Sequence, residues 1–215
     1  MFRLRLNKIK NAFKELAQKG QLSKTIFHHR DSARSFKLNS KVDAIITSPP
    51  YQTAVDYYRQ HTLESYWLGL VNSPEDRATI RDMYLGRARV PIKHAFFQEQ
   101  MPSSITAEKL LKRMKKEDPQ RANDLHHYVV GISKFLNNAR RAVTEEGKVI
   151  VVVGNSNWRG EVVRTDDMII ELSSTLFKKV DTFKYPVKNK YMSYTRHNGA
   201  DIAEEVGIVL SGRKI

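Results

Sequence analysis

Ser48, Pro49, Pro50 and Tyr51 set a hydroxyl, two rigid rings and a phenol side by side, directly after the run Val42-Asp43-Ala44-Ile45-Ile46-Thr47. The apolar, largely β-branched stretch from Ala44 to Thr47 predicts a strand buried on both faces, as in a parallel sheet. Neither proline donates a backbone hydrogen bond and each ring fixes φ, so the chain should leave the sheet as a stiff extended turn at the strand's carboxyl end. Open α/β sheets bind ligands at that end. The expectation is a ligand site whose polar and aromatic groups are held rigid by the prolines.

This segment resembles the catalytic signature of the amino-methyltransferases of DNA, in which Asp, Asn or Ser is followed by Pro-Pro-Tyr. The Ser form with Thr47 before it looks most like the cytosine-N4 members; adenine-N6 is the second choice. The resemblance implies that the Ser48 side chain and the Pro49 carbonyl accept hydrogen bonds from the amino group of a flipped base. It also implies that Tyr51 stacks on the base and that Pro50 keeps the geometry rigid. S-adenosylmethionine is then the cofactor and DNA the partner. An exocyclic amine is a poor nucleophile because its lone pair is delocalised into the ring, and two acceptors gripping its hydrogens favour a pyramidal nitrogen. Transfer from an activated sulfonium then needs positioning and electrostatics more than a covalent intermediate. An aromatic platform compensates the stacking lost when the base leaves the duplex.

Beyond the tetrapeptide, Asp56-Tyr57, Trp67-Leu68-Gly69 and the Arg-rich segment after them are similar to what trails this motif in a subset of bacterial DNA methylases; Trp67 on its own reads as a core residue. Asp31, after an expected strand over Thr25–His29, resembles the acidic residue that binds the cofactor's adenine, and reads equally as a turn or N-cap aspartate. Asn155, in the loop after an expected buried strand Val149–Val153, is a candidate substrate contact or a turn asparagine. Tyr191, Tyr194 and Arg196 lie in a long segment, Pro186–Ala203, whose interleaved basic and aromatic residues suit nucleic acid.

The chain departs from the family where the cofactor should sit. No Gly-x-Gly occurs in its 215 residues, although the backbone must pass close to the cofactor's amino-acid moiety. The expected architecture is a Rossmann-like α/β methyltransferase fold, incomplete, with its first two strands missing. In the family these lie between strand three, here Thr25–His29, and strand four, here Val42–Thr47. A split enzyme completed by a second chain that carries the glycine-rich half, a truncated product, and a sheet rearranged so that those two strands pair directly all account for the gap. The first two are preferred. A non-catalytic DNA-binding subunit or remnant is the alternative function.

Composition narrows the classes. The chain has no cysteine, which excludes thiolate-based methylation at cytosine C5, Cys-based zinc sites and disulfides. Thirty-seven Lys plus Arg against 23 Asp plus Glu give +14, which suits a polyanionic partner or simply a basic protein. No apolar run approaches the length of a membrane span and the amino terminus lacks a secretory signal, so a cytoplasmic protein of one partial domain, 1–215, is expected.

The positioning elements follow from periodicity and caps. A basic amphipathic helix is predicted over Leu6–Lys19, stopped by Gly20. Ser73-Pro74-Glu75-Asp76 starts a helix that ends near Leu85-Gly86. Arg87, Arg89 and Lys93 then line a DNA path or a solvated loop. Thr106 caps a helix over Ala107–Lys116, and Asp118-Pro119 opens a long helix with one apolar face that Gly147 ends. Residues 58–118 thus form a helical insertion and a candidate target-recognition element. His126 and His127, adjacent on the long helix, point in different directions, so no metal pair is expected. A helix over Asp166–Phe177 and strands over Val180–Tyr185 and Glu205–Leu210 complete the reading.

Overall fold

The computed structural model describes residues 2–20, 24–28, 30–34, 38–53, 57–91, 99–187 and 202–214, with side chains from Leu6 onward. The chain divides into two compact units, Met1–Arg30 and Asp31–Ile215. In the first, helix α1 spans Phe2–Gln18, starting earlier than its periodicity predicts, and Gly20 follows with φ +64°. Leu6, Ile9, Phe13 and Leu16 form its apolar stripe and are exposed. The strand expected over Thr25–His29 does not form: 24–28 carry no regular structure, His29 lies outside the described residues, and Phe27 is 92% exposed. Thr25, Ile26 and Phe27 favour a strand but make none without a partner to hydrogen-bond them. The rearranged sheet that needed this strand is therefore not formed.

The second unit is built on a mixed sheet. β1 (Val42–Thr47) runs parallel to β2 (Val143–Gly154), with Ile45 opposite Val149 and Thr47 opposite Val151. Strand β6 (Glu204–Arg213) is inserted antiparallel between β2 and β5 (Phe177–Pro186), giving the order β1-β2-β6-β5. A separate hairpin pairs β3 (Ser156–Trp158) with β4 (Glu161–Val163). β1 is an edge strand among the described residues, which corrects its expected burial on both faces. Asp43 and Ala44 are exposed and Ile46 is 74% exposed, because among the described residues only β2 pairs with the strand.

Between β1 and the hairpin come α2 (Tyr57–Gln60), α3 (Thr62–Trp67), α4 (Pro74–Met83), α5 (Ile105–Glu117) and α6 (Pro119–Ala142); α7 (Thr165–Ser174) lies between β4 and β5. One sheet face packs under α6 and α7, with α5 against both. Leu125, Tyr128, Val129, Ile132 and Leu136 of α6 form one core with Val149, Val151 and Val153 of β2 and Ile208 and Leu210 of β6. Ile46, Ile150, Val152, Val209 and Phe183 on the other face stay half-buried or exposed.

Several boundaries move for local reasons. Ser104, not Thr106, caps α5, its hydroxyl accepting from the Ala107 amide. Thr106 instead binds Glu171 of α7 through its hydroxyl at 2.7 Å and its amide at 3.1 Å. Asp118 and Ser73 cap as predicted, accepting from the Arg121 and Asp76 amides. α6 ends at Ala142 because Val143 turns extended and buries its side chain, so Gly147 falls inside β2. α7 ends at Ser174 because Phe177, expected as its last residue, opens β5. Trp67, expected in the core, is 89% exposed, with Leu63 and Leu68 exposed beside it.

Candidate functional site

β1 and β2 run the same way, so their carboxyl ends lie together, and the antiparallel β6 begins where they finish. Gly154 ends β2 opposite Glu205 of β6, which faces Tyr185 of β5. Four strand ends therefore converge beside Ser48–Tyr51. Ser48 is exposed, Pro49 buried and Pro50 half-buried. Tyr51 is 7% exposed, its ring packed over Gly154 beside Ile202. A Cβ on Gly154 would stand 3.1 Å from Tyr51 Cε2 and 2.6 Å from Ile202 Cγ2, so the missing side chain makes room for the ring.

The Tyr51 hydroxyl donates to Glu205 Oε1 at 2.5 Å and the Tyr185 hydroxyl donates to Glu205 Oε2 at 2.6 Å. Burial first, then the Glu205 bond, pushes the Tyr51 phenol well above the usual tyrosine range, with Ser48 opposing. Next in sequence, Gln52 is buried, and its side-chain carbonyl accepts from the Thr53 hydroxyl at 2.9 Å and the Ser156 hydroxyl at 3.1 Å.

The backbone beyond the prolines is clamped. Thr53 adopts φ +49°, costly for a β-branched residue, and its amide donates to Gly86 O at 2.9 Å. Gly86, at φ +73°, lies so close that a Cβ there would stand 2.7 Å from Tyr51 O. Asp124 of α6 fixes the loop that carries Gly86 by accepting from the Arg89 and Val90 amides at 3.1 and 2.9 Å. Burial pushes the Asp124 carboxyl up against the opposing effect of those bonds. Arg87 is buried and paired with Asp82 at 2.9 Å, so it braces this loop rather than lining an open path. Lys93 lies outside the described residues.

The remaining candidates sit apart. Asp31 Oδ1 accepts from the Ala33 amide at 2.9 Å, and the turn it makes hangs on Asn138, whose Nδ2 donates to Ser32 O and Arg34 O. Asn138 stands about one turn before α6 passes into β2, at the amino end of the parallel pair, so the structure does not bring Asp31 to Ser48. Asn155 follows Gly154 directly, but its side-chain carbonyl accepts from the Asp166 amide at 3.1 Å in the first turn of α7. Tyr191, Tyr194 and Arg196 lie outside the described residues, in the segment whose base is closed by the Val187 amide donating to Ala203 O at 2.9 Å. Glu205, Tyr185, Gly154 and Gly86 carry the site's geometry, and the sequence reading missed them as site residues. Only the expected start of the last strand at Glu205 hinted at any of them.

Among the described residues no acidic or histidine cluster could hold a metal, and no helix is long and apolar enough to cross a membrane. Arg113 and Arg159 flank the Trp158 ring at 5.6 and 5.4 Å and pair with Glu161 and Glu117, so part of the basic charge is used within the fold.

No protein-family model matches the chain, and no solved structure does. Among curated proteins it is similar to the type II methyltransferase M.MjaII of Methanocaldococcus jannaschii, at 27% identity over 154 residues, which cover 71% of this chain and 21% of that protein. The chain thus spans about a fifth of the length of the curated relative it matches. The similarity supports a relationship to DNA methyltransferases.

Proposed function

We propose that this chain holds the amine-gripping corner of a DNA amino-methyltransferase, which moves a methyl group from S-adenosylmethionine to the exocyclic amine of a flipped base, cytosine-N4 before adenine-N6. The observation that carries the reading is the exposed Ser48 hydroxyl, held by Pro49, Pro50 and the buried Tyr51 at the joint carboxyl ends of β1 and β2. Ser48 Oγ and the Pro49 carbonyl accept from the amine, and the Gly86 and Asp124 clamps hold both acceptors in place. With 7% of its surface open, Tyr51 offers a base its rim; stacking on its face requires the side chains over it to shift.

The described residues do not build a cradle for the methyl donor. Asp31 lies at the other end of the sheet, no Gly-x-Gly is present, and the outer edge of β1 meets no strand among the described residues. We assign the donor's cradle to residues outside this sequence, on a second polypeptide that pairs with the β1 edge and covers Ile46. An edge with unpaired backbone groups beside an exposed isoleucine suits such a continuation. The net charge of +14 suits DNA phosphates, and residues 58–118 stand as the candidate target-recognition element.

Calorimetry of S-adenosylmethionine with this chain, alone and mixed with the product of the adjacent reading frame, followed by analysis of methylated bases, tests the reading. Binding and methylation only in the mixture support it, with loss of transfer in Ser48→Ala. Full activity of Ser48→Ala refutes the assigned corner. The missing glycine turn together with the charge favours a second reading, a non-catalytic DNA-binding subunit. That reading wins if DNA binding persists while no mixture methylates.

A further inference from the structure

Strand β5 is an edge of the sheet among the described residues, and only its first residue, Phe177, is buried. On the sheet face away from α6 and α7, Tyr185 pairs with Glu205, Phe183 with Gly207, and Lys179 with Ser211, which faces Lys148 of β2. A Cβ on Gly207 would collide with Phe183 Cζ, so the bare glycine lets the ring reach across β6. The Phe183 and Tyr185 rings stack with centroids 6.1 Å apart and planes 22° from parallel, yet remain 48% and 38% exposed. The Tyr185 hydroxyl is fixed on Glu205, whose other oxygen holds Tyr51, so this aromatic pair stands one carboxylate away from the proposed corner. The same strand carries Lys178, Lys179 and Lys184 against one acid, Asp181. Lys148, Lys178 and Lys179 line an open hollow of about 340 Å³, set against Glu146 and Asp181.

We propose that β5 is a nucleic-acid-binding strand, on which Phe183 and Tyr185 stack an unpaired nucleobase of a DNA strand while Lys148, Lys178 and Lys179 hold its phosphates. The inference rests on the reading of this chain as DNA-binding and is independent of the amine grip at Ser48. Lys179 and Phe183 share a face four residues apart, about 13 Å, so base and phosphate contacts lie along one short stretch of strand. The Lys179–Asp181 and Lys184–Glu204 pairs, at 2.9 and 3.2 Å, are both exposed, and such pairs hold a lysine weakly enough for a phosphate to exchange with the carboxylate. The second polypeptide assigned to the β1 edge does not account for these residues, because β5 lies three strands away, about 14 Å. An apolar helix laid over the two rings would bring nothing for the lysines. Stacking tolerates every base, so β5 adds affinity and holds the strand beside the corner without reading its sequence.

The test uses the whole chain, without methyl donor, and compares labelled oligo(dT) with an abasic oligonucleotide of equal length and charge. Thymine bears no exocyclic amine, so Ser48 has nothing to grip and the comparison reads stacking alone. Fluorescence anisotropy at one salt concentration should show the wild type favouring oligo(dT) by about five-fold, the lower end of what one stacked base contributes. Phe183→Leu, which keeps an apolar side chain over Gly207, should bring that ratio toward one while the abasic affinity and the circular dichroism stay those of the wild type. Lys178→Gln combined with Lys179→Gln should weaken both oligonucleotides alike and flatten the salt dependence. Methyl transfer in the mixture, lost in Ser48→Ala, is read separately, so failure of the corner and failure of the strand are told apart. Equal wild-type affinity for the two oligonucleotides, an unchanged ratio in Phe183→Leu, or no binding to either overturns the inference. So does a wild-type preference that vanishes when the product of the adjacent reading frame is added, since a protein segment then covers β5.

Discussion

Gly86→Ala should destabilise the second unit through two separable effects. At φ +73° an alanine pays the left-handed penalty of about 1–2 kcal/mol. Its Cβ would also stand 2.7 Å from Tyr51 O and 3.3 Å from Tyr51 C, and these are backbone atoms that cannot rotate away. Forced overlap in a packed site adds about 1–3 kcal/mol, so the total is about 2–5 kcal/mol. Gly160→Ala is the internal control: its φ of +86° carries the same backbone penalty, but nothing lies within 4 Å of the added methyl. Urea unfolding followed by far-ultraviolet circular dichroism gives both values. The difference between them, about 1–3 kcal/mol, measures the close approach alone. Equal losses in the two variants would show that the loop at Gly86 does not press on Tyr51 in solution, and the clamp argument would fall with it.

Glu171 accepts from the Ser104 and Thr106 hydroxyls and the Thr106 amide; burial raises its carboxyl, but these bonds together outweigh it and leave the group below the ordinary value of 4.5. A lowered folded value means stability that is fully present above pH 4.5 and lost as the pH falls from there through the folded value below it, so Glu171→Gln should lose about 1 kcal/mol at pH 7 and approach the wild type in acid, as thermal melts across that range would record. Asp124→Ala strips the Arg89 and Val90 amides of their buried acceptor and should cost about 2–3 kcal/mol in urea unfolding; a loss under about 0.5 kcal/mol would mean the loop is held by something else. Trp67→Ser, at an 89% exposed position, should change stability by no more than about 0.5 kcal/mol, and a larger loss in the same assay would put the indole in a buried contact.

Elements were legible where local chemistry decides them. Ser73-Pro74 and Asp118-Pro119 name their helices because a side-chain acceptor followed by a ring without an amide hydrogen serves an N-terminus and little else. The apolar run of β1 reveals a strand, but a pattern shared by central strands and by an edge awaiting a partner cannot report which neighbours are present. Thr25–His29 failed for the converse reason: its residues favour a strand that tertiary pairing does not supply. Gly147 misled because a glycine after a helical period stops a helix only when the chain has not already turned extended, and buried Val143 turned it four residues earlier. Ser48–Tyr51 stood out in the sequence as a candidate site, but the residue that holds Tyr51 stands 154 positions away, and only the pairing of β2, β6 and β5 brings it there.

That pairing also bears on what this chain can do without a partner. The proposed amine-gripping corner depends on β1 for Ser48 and Tyr51, β2 for Gly154, β6 for Glu205 and β5 for Tyr185, and each of these lies on the covered side of β1. Nothing in the corner draws on the strand's outer edge. Loss of whatever pairs with that edge therefore leaves the Tyr51-Glu205-Tyr185 contacts intact, while any group bound across the edge loses one wall. Base preference and methyl-donor binding should consequently separate in this protein, the first a property of the chain by itself and the second appearing only when β1 gains its second neighbour. Ile46→Lys, a change at an outward position 74% exposed, discriminates between these two functions: it should leave the ratio of affinities for oligo(dC) and oligo(dU), read by fluorescence anisotropy, untouched and abolish the donor binding that the mixture restores.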